Sequence, residues 1–380
     1  MGFPSAFVLR DNVLRINSIG HPDIKKSDGF IFALNGHYML HDGGKYGTDC
    51  LEHLLALREA AGVEVLHFDW VISHFHVDHV GAPLENVVRD PCFAIDRIIM
   101  PSVNALPEGS IHVSRSYTDE IMGVVRDFHP NCEVTVVPFY SDCPKTFYYN
   151  FGGTDIEILP PDTDWASPEL LRKIANKYFC TDDLLYRKNQ MYVVNISSIW
   201  LVIRHGGKKL VFTGDTPKRT RFMTDEGFDR MVGLFADKIK NPDFFKWPHH
   251  GQAEDEADVA VHDIIDPDYI LTTCPDEGAS VTYARSFHDF RAKFVNSCKE
   301  DVIITVPEDG EMTVEGGTWG VNQGEYFVLD IPGKSCRLRR MIMYLLTANV
   351  DSDFSAFASI FLRKTVRAAR FGKMKGEFSP

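Results

Sequence analysis

His74-Phe75-His76-Val77-Asp78-His79 places three imidazoles and a carboxylate within six positions, too dense a polar cluster for an apolar core. It follows Val63-Glu64-Val65-Leu66-His67-Phe68-Asp69-Trp70-Val71-Ile72 and Ser73, whose apolar run predicts a buried strand. A strand that empties into such a turn holds ring nitrogens and carboxylate oxygens at short, fixed separations. Imidazole and carboxylate are natural ligands for borderline divalent ions. Two histidines alone would read as satisfied polar groups. The full His-x-His-x-Asp-His spelling at a strand end points to a pair of metal ions.

Two later stretches repeat the pattern of a strand emptying into ligand-type residues. Ile199 to Asp215 reads as a hairpin turned at Gly206-Gly207-Lys208-Lys209 and ending in Thr213-Gly214-Asp215. Phe244-Phe245-Lys246-Trp247-Pro248-His249-His250-Gly251 is a short apolar strand followed by His-His-Gly.

On these motifs the chain resembles the metallo-β-lactamase superfamily, and its His-His-Gly spelling resembles the ComEC-like branch. The resemblance implies an α/β fold, the four-layered αββα sandwich. It implies that His74 and His76 bind metal one and that Asp78 and His79 bind metal two. Asp215 would bridge them, with one carboxylate oxygen for each ion. One of His249 and His250 would complete metal two and the other would face substrate. Zinc is the expected ion, with manganese or iron as alternatives. The carboxylate of Asp42, in Asp42-Gly43-Gly44 after a strand, would lie close to the metals without binding them. The chain departs from many relatives at the third histidine of metal one, where Asn195 stands. An amide oxygen is a poorer zinc ligand, so metal one would be weaker or favour manganese; alternatively Asn195 only organises a turn.

At 380 residues with 44% hydrophobic content the chain can bury a large core. One elaborated hydrolase domain over 1–333 is expected, with a helical insertion at about 162–189. A basic extension with an amphipathic helix would occupy 334–380. No 18-residue apolar run and no leader-like N-terminus are present, and the eight cysteines are scattered. Those features read as a cytoplasmic protein with reduced thiols and no membrane span. The net charge is −13, yet residues 334–380 carry ten Lys/Arg against three Asp/Glu. An acidic body argues against bulk nucleic-acid binding. The C-terminal helix is expected to dock on the body or on a second subunit.

Along the chain, strands are expected at Phe7–Arg10, Val13–Ile16, Gly29–Leu34 and from His37, with Asn35-Gly36 as a hairpin turn. Leu51 to Ala61 has helical spacing and Gly62 suits its C-cap. Ala94–Met100, Val134–Phe139, Ile156–Leu159, Tyr269–Thr273, Val302–Val306 and Glu311–Val314 read as strands. Tyr117–Phe128, Asp225–Lys240 and Ala284–Cys298 read as helices.

Two ions about 3.5–4 Å apart can share a water, lower its pKa and polarise the bond it attacks. The nucleophile is then a bridging hydroxide, oriented by Asp78 or Asp215, and no serine or cysteine is needed. The expected activity is hydrolysis of a phosphodiester or a phosphorylated small molecule. Lys218, Arg219 and Arg221 directly follow Asp215, and Lys246 precedes the His-His-Gly turn; all are candidates to neutralise a phosphate. His288 is a candidate substrate residue. A lactone or amide hydrolase on the same ions is the alternative, ahead of a redox member or a non-enzymatic binding module.

Overall fold

A computed structural model of the chain describes residues 7–20, 27–102, 111–138, 146–160, 194–195, 197–215, 235–251, 265–274, 292–298 and 300–319. The expected insertion, the C-terminal extension, Arg219, Arg221 and His288 lie outside these residues.

The strands are β1 (Val13–Ser18), β2 (Gly29–Leu34), β3 (His37–Asp42), β4 (Leu66–Val71), β5 (Phe93–Pro101), β6 (Glu133–Val137), β7 (Phe147–Phe151) and β8 (Thr154–Leu159). The second half adds β9 (Trp200–His205), β10 (Lys208–Phe212), β11 (Phe244–Lys246), β12 (Tyr269–Thr272), β13 (Lys293–Asn296), β14 (Val302–Pro307), β15 (Thr313–Gly316) and β16 (Thr318–Trp319). The helices are α1 (Cys50–Ala61), α2 (Val77–Ala82) and α3 (Ile111–Phe128).

The strands form two eight-stranded sheets, ordered β15-β14-β1-β2-β3-β4-β5-β6 and β16-β13-β12-β11-β10-β9-β8-β7. The two sheets follow one plan. In the first, antiparallel pairing runs through β1, β2 and β3, and β3 to β6 are parallel. In the second, β7 to β10 are antiparallel and β10 to β13 parallel.

Strand alternation explains how both faces of the first sheet are buried. Phe30 and Phe32 of β2 point between the sheets and meet Phe212 edge-on, with ring centroids 5.1 and 5.3 Å apart. Ile31 and Ala33 point the other way, into a core with Leu54 and Leu57 of α1 and Val124 and Val125 of α3. The layers are therefore helices, sheet and sheet, with residues 235–239 a described part of the helical layer beyond. This is the sandwich expected from the sequence. No described helix is long and apolar enough to cross a membrane.

The Asn35-Gly36 turn forms as expected, both residues having positive φ (50° and 76°), and it pairs Leu34 with His37 and Gly29 with Asp42. Gly62 caps α1 in the left-handed conformation.

Two expectations fail and one helix, correctly expected over Tyr117–Phe128, is longer than expected. Phe7–Arg10 forms no strand. α3 begins six residues before Tyr117. The helix expected over 284–298 cannot reach its end, because Lys293–Asn296 is β13, paired in parallel with β12. Phe294, Val295 and Asn296 are all buried, and a strand covered on both faces shows a continuous apolar run that periodicity does not distinguish from a helix.

α1 is tied to the first sheet by a buried ion pair. His53 Nδ1 lies 2.7 Å from the Asp49 carbonyl oxygen and Nε2 lies 2.8 Å from Asp301 Oδ2. Both neighbours are acceptors, so both ring nitrogens carry hydrogen and the ring is cationic. Burial pulls the His53 pKa down, but the hydrogen bond and charge of Asp301 outweigh it and raise it above 6.5. The stabilisation is therefore complete below pH 6.5 and is lost as pH rises through the folded-state value. His53→Gln should lower stability by about 1.5–3 kcal/mol at acid pH. It should also flatten the fall of Tm above neutrality. Thermal unfolding across pH checks this, and equal slopes in both proteins would remove the charge from the account.

Candidate metal centre

The three motifs meet at one end of the sandwich, at the C-terminal ends of β3, β4, β10 and β11. Open α/β sheets present ligand sites at these ends because the loops there diverge from fixed strand positions. β4 ends at Val71, and Ser73 to His76 cross the opening before α2 begins at Val77. β10 leads to Asp215 and β11 to His249 and His250.

Four imidazoles surround one oxygen, Asp215 Oδ2. His79 Nε2 and His250 Nε2 each stand 3.3 Å from it, and His74 Nε2 and His249 Nε2 stand 4.0 Å away. His74 Nε2 is 3.0 Å from His76 Nδ1, and His250 Nε2 is 3.2 Å from Asp78 Oδ2. The ligand atoms fall into two buried groups, each within 4.8 Å: His74, His76 and Asp215, and Asp28, His79, Asp215 and His250. Asp215 is common to both groups. Oδ2 faces the imidazoles, whereas Oδ1 lies 3.8 Å from Lys246 Nζ and accepts no hydrogen bond from a described residue.

Carboxylates behind the rings orient them. Asp42 Oδ2 accepts from His79 Nδ1 at 2.8 Å and from Ser73 Oγ at 2.8 Å, and Asp42 Oδ1 accepts from Ser73 N at 2.7 Å. With Nδ1 held by Asp42, Nε2 of His79 is the ring nitrogen turned to Asp215; it is buried and makes no hydrogen bond to a described residue. Ser73 Oγ, having donated to Asp42, accepts from His74 Nδ1 at 3.0 Å, which turns the His74 Nε2 lone pair inward. On the second sheet's side, His250 Nδ1 is 3.0 Å from Asp28 Oδ1 and 3.1 Å from Thr273 Oγ1.

Backbone geometry brings the motifs close. Gly214 has φ 56°, and a Cβ there would sit 2.8 Å from Ser73 Cβ, so only glycine lets β10 approach the β4 loop. His249 and His250 also have positive φ (51° and 60°), which folds both rings back over the sheet end. Asp215 N donates to Ser198 Oγ at 3.2 Å.

The electrostatics divide the histidines. Burial, then the neighbouring imidazoles, hold His74 well below its ordinary value; burial takes His76 down to about 4. Both are neutral donors at pH 7. Burial also disfavours charge on His79, but Asp215 and Asp42 push it up to about 10; Asp215 and Asp28 likewise raise His250. Protons and a divalent cation compete for those two rings. Burial favours the acid forms of Asp28, Asp78 and Asp215, yet cations and hydrogen bonds around them hold all three below the carboxylate range. Convergent lone pairs, buried anions and unpartnered ring nitrogens together fit divalent ions.

Of the residues singled out in the sequence, His74, His76, Asp78, His79, Asp215, His249 and His250 come together. His250 is the buried member of its pair, whereas the side chain of His249 is 23% exposed. Asn195 is buried, with Oδ1 making no hydrogen bond to a described residue. Lys246, a candidate to neutralise a phosphate, has a side chain that is 1% exposed and pairs with Asp28. Asp28 escaped the sequence reading, although the Asn35-Gly36 turn fixes the register that sets Gly29 opposite Asp42 and so puts Asp28 at the centre.

No protein-family model and no curated protein sequence matches the chain. Among solved structures it is similar to the metallo-β-lactamase fold protein YhfI from Bacillus subtilis, at 12% identity over 78% of this chain and 100% of that one, with TM-score 0.44. It is also similar to the short form of human tRNase Z, at 11% identity over 67% and 91% of the two chains, with TM-score 0.33. A third likeness is to MEM-A1, a subclass B3 metallo-β-lactamase from a soil metagenome, at 12% identity over 74% and 83%, with TM-score 0.33. The strand order and the meeting of the three motifs at one sheet end, rather than these scores, define the fold.

Proposed function

We propose that the chain is a metal-dependent hydrolase, acting on a phosphodiester or a phosphorylated small molecule. The observation that carries the first part is the pair of buried ligand groups sharing Asp215. His74 and His76 would hold one ion, with Asn195 Oδ1 available to it. Asp78, His79, Asp215 and His250 would hold the other. Zinc suits the imidazole-rich set, with manganese or iron as alternatives. Ions bound there supply an activated water and polarise the bond that it attacks. The protein's own part is positional: Asp42 and Asp28 aim His79 and His250, and Ser73 aims His74. His249, the more exposed imidazole, would meet the substrate and give a proton to a leaving group.

The phosphate assignment is supported by the Lys218-Arg219-Thr220-Arg221 cluster that follows Asp215 in sequence and by the resemblance to the His-His-Gly branch. Guanidinium groups take phosphate oxygens bidentately and stabilise charge as it builds. Elemental analysis, with turnover of bis-p-nitrophenyl phosphate and of a lactone, tests the reading. Arg219→Ala and Arg221→Ala should cut diester turnover by up to about 100-fold and spare the lactone. Equal effects on both substrates would leave a hydrolase without the phosphate assignment. A chain with no transition metal, and no activity after metal addition, would overturn the whole reading.

A further inference from the structure

β11 delivers a lysine to the inside of the centre, which is uncommon for a residue type that is almost never fully buried unless paired. Lys246 Nζ lies against Asp28 Oδ2 as an ion pair, without the angle of a hydrogen bond. It donates to the Gly214 carbonyl oxygen at 3.0 Å and stands 3.8 Å from Asp215 Oδ1. The other oxygen of Asp28 is held by His250 Nδ1 at 3.0 Å and by the Thr273 hydroxyl.

Asp28 nevertheless belongs to the second buried ligand group, with His79, Asp215 and His250, all within 4.8 Å. A carboxylate in that company is a ready ligand for a cation. Every oxygen it could offer is already committed, and the commitment of Oδ2 depends on Lys246 alone among the contacts above.

Building on the metal-dependent reading, we propose that Lys246 sets the metal preference of the centre by keeping Asp28 out of the second ion's ligands. With Asp28 held back, His79 and His250 offer nitrogen and Asp78 and Asp215 offer oxygen, a balanced set that suits zinc. Adding the Asp28 carboxylate would tip the set toward oxygen and so toward manganese. Lys246 also holds the Oδ1 side of Asp215, which leaves Oδ2 to the imidazoles.

The test measures zinc and manganese dissociation constants on the full chain by chelator competition. Lys246→Met should shift the preference toward manganese by at least about tenfold, the lower range for groups that orient metal ligands. Asp28→Asn/Lys246→Met should return the preference to wild type, because the released carboxylate is gone. Asp28→Asn, whose amide oxygen can still accept from His250 Nδ1, should weaken zinc and manganese together and leave their ratio at the wild-type value, since Asp28 is not a ligand while Lys246 is present.

Lys246→Met leaves Asp28 buried and uncompensated and so loses stability. If it does not fold, Lys246→Gln should show the same shift, since it keeps a donor to the Gly214 carbonyl but removes the charge beside Asp28. A folded Lys246→Gln without that shift overturns the role of Lys246. A folded Lys246→Met with unchanged preference, or an Asp28→Asn that shifts it, overturns the role of Lys246 alone. A wild-type chain that takes up neither metal overturns the metal-dependent reading, and this role with it.

Discussion

Asp215→Ala should abolish metal uptake at both positions and lower hydrolysis by at least about 10²–10³-fold, the range for removing one group aimed at the reacting centre. The side chain is 2% exposed, and Oδ2 is the atom on which four imidazoles converge at 3.3–4.0 Å. Removing it takes the shared ligand from both groups at once. It also leaves His79, His250 and Lys246 without a common anion, and a buried charge that loses its partner costs about 3–5 kcal/mol. Asn195→Ala provides the contrast, because an amide oxygen serves at most one ion. Its loss of affinity should stay within about 10–100-fold and leave the second ion in place. Elemental analysis of both variants, with diester turnover, separates the cases. Small and equal losses would mean that the centre lies elsewhere.

Asp42→Ala is the second large effect, and here stability and metal binding fall together. Three bonds disappear, to Ser73 N at 2.7 Å, Ser73 Oγ at 2.8 Å and His79 Nδ1 at 2.8 Å. Each leaves a buried donor unmet, at about 1–3 kcal/mol apiece before relaxation. Freed of its acceptor, His79 can rotate or change tautomer, and metal affinity should drop about 10–100-fold. Asp42→Asn is the sharper probe. Asn keeps the shape, but an amide N–H facing Nδ1 drives the ring proton to Nε2, the nitrogen turned to Asp215. This variant should recover much of the Tm lost in Asp42→Ala while still binding metal weakly. Should Asp42→Asn bind metal like the wild type, the orienting role given to Asp42 would be wrong.

The metal motifs were legible because ligand spacing is local: six consecutive residues carry His74 to His79, and hairpin chemistry carries Asp215. The β2–β3 hairpin was equally plain, although Asp28, which its register sets beside Asp42, was passed over. What escaped was whatever depends on a partner far along the chain. Lys246, beside the His-His-Gly turn, was read as a candidate to neutralise a phosphate, and only the folded β11 shows it buried against Asp28. The segment 293–296 reads as helix because burial on both faces erases the two-residue alternation that marks a strand. β7 did carry that alternation, with Tyr149 and Phe151 buried and Tyr148 and Asn150 exposed, in a run that the sequence reading passed over. Whether His249 or His250 is the inner residue was not legible either, since it is set by two successive positive φ angles.

Asp28, Asp42 and the His74–His79 turn belong to the first sheet, whereas Asp215, His250 and Thr273 belong to the second. The centre therefore straddles the seam of the sandwich. An ion seated there acts as a rivet between the two layers, and its binding free energy adds to that of folding because the unfolded chain offers no such site. Along the rest of the seam the layers are joined largely by apolar packing, in which Phe30, Phe32 and Ile16 of the first sheet share a core with Phe212, Phe244 and Leu201 of the second. Metal scarcity would then do more than silence the chain. It would loosen one end of the seam, raise the unfolded fraction and hasten degradation, so that supply of the ion governs how much protein persists as well as how fast it works.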